Sequence, residues 1–396
     1  MVDRSTLLEE RPGLPPPPEA VIREARRRQR RRRSGVTGIV VVAVVIVVVV
    51  LPIGSRSVRR PPSPVAVSRG PSATPVEPVD GIHPSQPGPL AVGGTGTLYI
   101  ADEAQNRILA RLPSGRFRVI AGDGKKGFSG DGGPAVDAEL DNPQGIAVAA
   151  DGTVYFADFF NNRVRAVSPA GIITTVAGNG QGIVSFHLPV SGMPATAATV
   201  PEPTSVAIGP GGSLYVAAYS DVLELEPGGV LNVVEDGSAL DGSDPGVMFQ
   251  EGCYPASLAF DGTGNLYIGC SSPWVLLVRA ADGSLRQLGM ARPHDAWAAM
   301  TSTPDGGVLA IEGTDIVRYG SPGRPVPIDF LTYRLPGGRP FWPQGIAAAA
   351  DGSIYLSQDG VSGIGPAAIL EESPSGTLSV LWPTKPATGL AARSRP

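Results

Sequence analysis

The sequence predicts an all-β protein, a six-bladed β-propeller of four-stranded antiparallel blades preceded by one N-terminal transmembrane helix. Three observations carry this reading. Turn-formers are abundant, with 52 Gly and 41 Pro among 396 residues, and charged residues reach only 17% against a usual ~25%. No long amphipathic helical run stands out, which argues against a helical bundle and for short strands joined by tight turns. One pattern of apolar and aromatic positions recurs six times between Gln86 and Trp382, and an uncharged 18-residue stretch lies ahead of it.

That stretch, Val36 to Ile53, reads VTGIVVVAVVIVVVVLPI. As a helix rising ~1.5 Å per residue it would span about 27 Å, close to the ~30 Å hydrocarbon core of a bilayer. Lipid enforces the helix despite the β-branched valines, because an unpaired backbone is far costlier there. Eight arginines lie from Arg23 to Arg33, against Arg56, Arg59, Arg60 and Arg69 on the far side. The positive-inside bias therefore leaves residues 1–35 in the cytoplasm as a Pro/Arg-rich disordered tail and sends the rest outward. A cleavable signal peptide is the rival reading, but its apolar region is normally 7–15 residues and ends in a small-residue site. Residues 54–85 read as a Pro-rich extracytoplasmic stalk, 86–382 as the propeller, and 383–396 as a flexible tail.

Charge follows the same division. Residues 1–60 carry a net +8 and the remainder −12, so the basic segment belongs to the membrane and an acidic body argues against nucleic acid as its partner.

In each repeat an apolar residue is followed nine positions later by an aromatic: Leu90/Tyr99, Ile146/Tyr155, Val206/Tyr215, Leu258/Tyr267 and Ile346/Tyr355, with Met300/Leu309 as a degenerate sixth. Proline stands three residues before the apolar position at Pro87, Pro143, Pro203, Pro255 and Pro343, and Trp297 replaces it in the fifth copy. Turns such as Asp151-Gly152 and Asp351-Gly352 separate the first two strands. The period of about 50 residues, with four strands per copy, marks a propeller blade.

Asn142-Pro143-Gln144-Gly145-Ile146-Ala147, Asp151 to Asp158, and Asn161-Asn162-Arg163-Val164 closely resemble an NHL repeat. Gly130-Asp131-Gly132-Gly133-Pro134-Ala135 resembles the linker of bacterial NHL-repeat proteins. The resemblance covers about three quarters of the chain, is strongest in copies one and two and eroded in copies three to five. It implies the fold and says little of activity, since this scaffold hosts binding modules and enzymes alike. An anchored, outward-facing propeller also resembles the sensor half of certain bacterial receptor kinases, though no kinase is present in this sequence.

Within the repeat, Asp102 with Arg107 and Asp158 with Arg163 are expected to meet across the loop between strands two and three, as structural clamps. Blade parity places the 2–3 loops and the connections from strand four to the next strand one at the same end of the disc. The long connections are Asp123–Asn142, Asn179–Glu202, Asp236–Tyr254, Met290–Ala296 and Thr332–Trp342. With only 23 aromatics in the chain, their concentration at this end predicts a binding face of Phe128, Phe159, Phe160, Phe186, Trp274, Arg339, Phe341 and Trp342. The competing reading has these aromatics folding back to seal the rim.

Cys253 and Cys270 fall at one edge of blade four, so a disulfide is expected outside the cytoplasm. No cofactor is expected. Lactonase- and lyase-type propellers, which the resemblance brings to mind, hold a divalent metal at the channel mouth. The candidates for that role here are His187, His294 and Glu312, with Asp295 nearby, but no ligand set converges. The Gly-rich acidic loops Asp123–Asp131 and Asp236–Asp244 lack the spaced bidentate Glu of a calcium loop. Neither a G-x-S-x-G elbow nor a phosphate loop occurs. The function expected is non-catalytic: a single-pass membrane protein whose propeller binds an extracytoplasmic protein, peptide or glycan. A metal-dependent hydrolase or lyase with its site at the channel mouth is the alternative, and a structural role in the envelope is a third.

Overall fold

The computed structural model describes residues 82–182, 191–235, 253–271, 274–290, 297–312, 315–320, 326–328, 334–335, 339–360 and 367–382. Six antiparallel sheets follow one another along the chain. Blade one is β1 (Pro87–Val92), β2 (Leu98–Asp102), β3 (Arg107–Arg111) and β4 (Phe117–Ala121). Blade two is β5 (Pro143–Val148), β6 (Val154–Asp158), β7 (Arg163–Val167) and β8 (Ile173–Ala177). A short β9 (Met193–Pro194) precedes blade three, which is β10 (Pro203–Ile208), β11 (Leu214–Ala218), β12 (Asp221–Leu225) and β13 (Val230–Glu235). Blade four is β14 (Pro255–Phe260), β15 (Leu266–Ser271), β16 (Trp274–Arg279) and β17 (Leu285–Met290). Blade five is β18 (Trp297–Ser302), β19 (Val308–Glu312), β20 (Asp315–Tyr319) and β21 (Val326–Ile328). After a hairpin of β22 (Arg334–Leu335) and β23 (Arg339–Pro340), blade six is β24 (Gly345–Ala348), β25 (Ile354–Gln358), β26 (Ala368–Glu372) and β27 (Leu378–Trp382).

The repeated proline opens the first strand in blades one to four, and a bulge follows it before regular pairing resumes. This is where a residue without an N–H is tolerated in a ladder. The first strands line the axis and pack in a circle, β1 on β5, β5 on β10, β10 on β14, β14 on β18, β18 on β24 and β24 back on β1. Six apolar clusters fill the six junctions between neighbouring blades. Each blade therefore hides its two faces against its neighbours, which no isolated blade could do.

Closure joins two complete blades, with no blade assembled from both ends of the chain. Leu90, Leu98, Ile100 and Leu109 of blade one share a cluster with Ala347, Tyr355, Ile369 and Leu381 of blade six. The Ser357 hydroxyl donates to the Gly88 carbonyl across the seam at 2.6 Å. Gly345 is required there, since a Cβ would lie 2.5 Å from the Gly88 oxygen.

The wheel begins earlier than the sequence reading placed it. Ile82 joins the closing cluster, His83 meets Phe117 edge-on at 6.4 Å, and Ser85 bonds to Asp102. The expected stalk thus gives up residues 82–85 to blade one. The tail 1–35, the membrane-spanning stretch 36–53, the rest of the stalk and the tail 383–396 lie outside the described residues. Among the described residues no helix is long and apolar enough to cross a membrane.

The long connections that are described do more than rise from one end of the disc. The first runs along the outermost strand of blade two, where Gly132 N–H donates to Ile173 O and Ile173 N–H to Gly133 O. The second does the same through β9, which pairs with β13. An outer strand otherwise presents a row of unpaired backbone groups, and these linkers cover it.

Candidate functional site

The 2–3 turns of blades one and two are single 3-10 turns, Glu103–Gln105 and Phe159–Asn161. Each is closed by a left-handed asparagine, Asn106 (φ 48°) and Asn162 (φ 52°), a conformation that Asn tolerates better than most residues. Their side-chain oxygens accept the N–H of Asn142 and Glu202 at 2.9 and 3.0 Å. Each turn thereby grips the chain leading into the next blade.

Asp102 and Arg107 pair at 3.1 Å, across the loop as expected. Blade two corrects the other clamp. Asp158 and Arg163 stand opposite each other in the ladder, yet the Asp158 carboxylate takes Arg165, at 3.2 Å. Blade one has Leu109 where blade two has Arg165, and the additional guanidinium changes the outcome. Arg165 is fully buried and also reaches Ser129 O and Asp131, each at 3.0 Å. Arg163 instead donates to Asn161 O and Asn179 O and stacks on the Phe128 ring, 3.7 Å from its centroid. Burial is the largest influence on Asp158 and pushes its carboxyl up to about 6. The Asp141 N–H, Asn161 and Arg165 act in the opposite direction.

Above this latch sits an aromatic and cationic cluster. Phe160 is 53% exposed, Phe128 39% and Tyr254 42%, the three exposed large hydrophobic residues among those described. Phe159 meets Phe160 edge-on at 4.8 Å, and Lys126 lies 5.0 Å from the Phe160 centroid. Tyr254 packs against Tyr219 of the blade-three turn at 5.3 Å. All of these belong to 2–3 turns or to the connections beside them, at one end of the wheel.

The remaining expected face residues are placed differently. Phe341 is 6% exposed and belongs to the core between blades five and six, because the chain leading into blade six needs an apolar anchor. It is therefore not a surface contact. Trp342 is half-buried and its backbone N–H donates to Gln358. Trp274 opens β16 and Arg339 opens β23, with both side chains outside the described part. Phe186, His187 and His294 also lie outside it. Glu312 accepts the Tyr319 hydroxyl.

Cys253 and Cys270 form a disulfide. Its place follows a rule of the repeat. The last residue of strand two, or in blade four the last but one, pairs with the blade-opening proline or tryptophan in blades one to five. In blades one, two and six it also holds the incoming chain through a side-chain oxygen: Asp102 takes Ser85 N–H, Asp158 takes Asp141 N–H, and Gln358 takes Trp342 N–H. Blade four makes the same tie covalently. Blade three has Ala218 at this position, and the incoming residue there is Pro201, which has no N–H to offer.

At the axis, the residue after each blade-opening proline faces a cavity of about 200 Å³. Gly88, Gln144, Thr204, Ala256 and Gln344 line it, together with Glu103 and Asp359. Those two carboxyls were missed in the sequence although a signal was present. Each is the first residue of its 2–3 loop, at the position held by Phe159 in blade two and Tyr219 in blade three. Burial first, then Asp359 and Asp102, push the Glu103 carboxyl up to about 7.

Of the three residues expected as metal ligands, only Glu312 is among those described. No three His, Cys, Asp or Glu among the described residues converge. In the first Gly-rich loop, Asp123 pairs with Lys125, and Asp131 with Arg165 and Thr175.

Residues 117–194 match the family model of the teneurin NHL domain. Together with the six-bladed wheel, this match supports an NHL-repeat β-propeller. Human Teneurin-4 is 42% identical over 91 residues, covering 20% of this chain and 3% of that one. Teneurin-3 of Danio rerio is 30% identical over 199 residues, covering 44% and 7%. The chain thus spans only a small fraction of the length of these relatives. Among solved structures, a streptogramin B lyase superposes with a TM-score of 0.50 at 16% identity, covering 76% of this chain and 84% of that one. A gluconolactonase of Xanthomonas campestris gives 0.51 at 14%, covering 75% and 86%. At such identities the likeness is one of fold alone.

Proposed function

We propose that this protein is a non-catalytic binding module, anchored in the membrane by residues 36–53, whose propeller faces outward to engage a protein, peptide or glycan. The observation that carries the reading is the sidedness of the surface. All three exposed large hydrophobic residues among those described stand at the end of the wheel that bears the 2–3 turns. Aromatic groups of this kind anchor interfaces at low ordering cost when a rigid scaffold presents them. The arginine asymmetry around the apolar stretch supports the orientation. A disulfide is the chemistry of an oxidising compartment, which supports an extracytoplasmic setting.

The test is in-cell crosslinking with the full chain. Phe160→Ala removes a ring that contributes little to the core, so stability should change by no more than about 0.5 kcal/mol. Partner capture should fall at least several-fold. Undiminished capture with a folded variant would refute this end as the binding face. Protease accessibility of the propeller on intact cells tests the topology separately.

A further inference from the structure

The hub cavity is a feature apart from the aromatic rim. We propose that it is a subsite for one polyhydroxylated unit, a single sugar residue of a glycan. This rests on the reading of this end of the wheel as a binding face and names what its centre recognises.

Size comes first. At about 200 Å³ the cavity is smaller than the ~300–1,000 Å³ of ordinary small-molecule sites. It has room for one ring and not for a folded peptide.

Chemistry narrows the choice. Gln144 and Gln344 bring carboxamides from two blades, and neither side chain hydrogen-bonds to a described residue. A carboxamide offers two donors and an acceptor, the combination that adjacent hydroxyls need. Thr204 donates its hydroxyl to Pro255 O at 2.9 Å and retains its own lone pairs as acceptors. An apolar occupant would strip these groups of water without replacement.

The carboxyls add hydrogen-bonding capacity to the same wall. With Glu103 raised to about 7, the wall near neutrality carries a carboxyl that is protonated about half of the time, beside Asp359. Shared between its protonated and ionised forms near neutrality, that carboxyl can both donate to and accept from a hydroxyl, and the cation arms of the test below separate this use from cation binding. Gly88 is what lets Glu103 reach in, because a Cβ there would lie 2.2 Å from Glu103 Oε1.

Saturation-transfer NMR on the full chain in a detergent without sugar head groups provides the test. The probes are the methyl glycosides of glucose, galactose and N-acetylglucosamine, with propylammonium and calcium chloride as the cation arms. Saturable binding of at least one glycoside is expected. Gln344→Leu should weaken it about tenfold, equivalent to ~1.4 kcal/mol, with the melting temperature unchanged. Gly88→Ala should weaken it comparably by displacing the Glu103 carboxyl. That added methyl meets only the end of a flexible side chain, so this variant serves even if Gln344→Leu fails to fold. No glycoside binding, glycoside binding indifferent to both variants, or binding of the cations alone would each overturn the proposal. Because Phe160→Ala leaves the hub intact, failure here is distinguishable from failure of the binding-face reading.

Discussion

Asp158 is a carboxylate with no exposure to solvent, held at the crossing of four chain segments. It accepts from Asp141 N–H, from Asn161 at 2.9 Å and from Arg165 at 3.2 Å. Asp131 shares Arg165, and Arg163 stands opposite in the ladder. Removing one partner of such a buried pair typically costs about 3–5 kcal/mol, so the latch is sensitive to substitution. Its response to acid has a definite sign. The folded-state pKa of about 6 lies above the ordinary 3.8, so the folded protein binds this proton more tightly than the unfolded chain does. The contribution of Asp158 to stability therefore rises as pH falls from above 6 toward 4. Thermal melts at pH 7 and pH 5 should show the native chain gaining relative to Asp158→Asn on acidification; a constant difference would contradict this. The sequence made Asp158 legible as a clamp but pointed to the wrong arginine. Arg163 has the right spacing, whereas the claim of Arg165 depends on a linker folding back over it, which no local pattern reveals.

Among elements, the end of strand two and the chain arriving two residues before the blade-opening proline behave as a matched pair. An oxygen meets an N–H in blades one and two and sulfur meets sulfur in blade four, while blade three carries Ala218 and Pro201 at the corresponding positions, with neither an acceptor nor a donor. The tie in blade four closes a loop between residues 17 apart, which the chain-entropy account values at ~3 kcal/mol. Matching of this kind predicts that Ala218→Asp destabilises by about 1–3 kcal/mol, because Pro201 gives the new carboxylate no donor. Replacing Pro201 with Ala in that background should recover part of the loss in urea denaturation. No recovery would show that the pairing is coincidental. Much of this was readable from the repeat register, including the disulfide, since parity alone puts Cys253 and Cys270 at one edge. The hub carboxyls escaped because Glu103 and Asp359 lie one residue beyond the aligned strands. Phe341 reads as a surface aromatic in the sequence because a connection of that length gives no sign of where it is anchored.

For the whole molecule, closure decides stability. Six junctions share the apolar burial, and the last joins blades separated by the full length of the propeller. Gly345→Val would push side-chain atoms into the Gly88 carbonyl and Ser357, and overpacking of this sort costs about 1–3 kcal/mol. Gly94→Ala, with nothing within 4 Å of the added methyl, should stay within about 0.5 kcal/mol. Equal melting temperatures for the two variants would argue that the seam is not tight. Blade number and sheet order were legible in full, because a fifty-residue period leaves few ways to bury both faces of every sheet. Where the ring closes was not, since β1 and β24 read like any other first strands.

The seam brings Ile82 and Trp382 into one apolar cluster. A domain whose two ends emerge side by side can be spliced into an interior loop of a larger polypeptide without stretching either junction, much as a cassette is inserted. The same geometry permits circular permutation: new termini opened at an exposed turn, with the old ones joined by a short linker, would leave every blade whole.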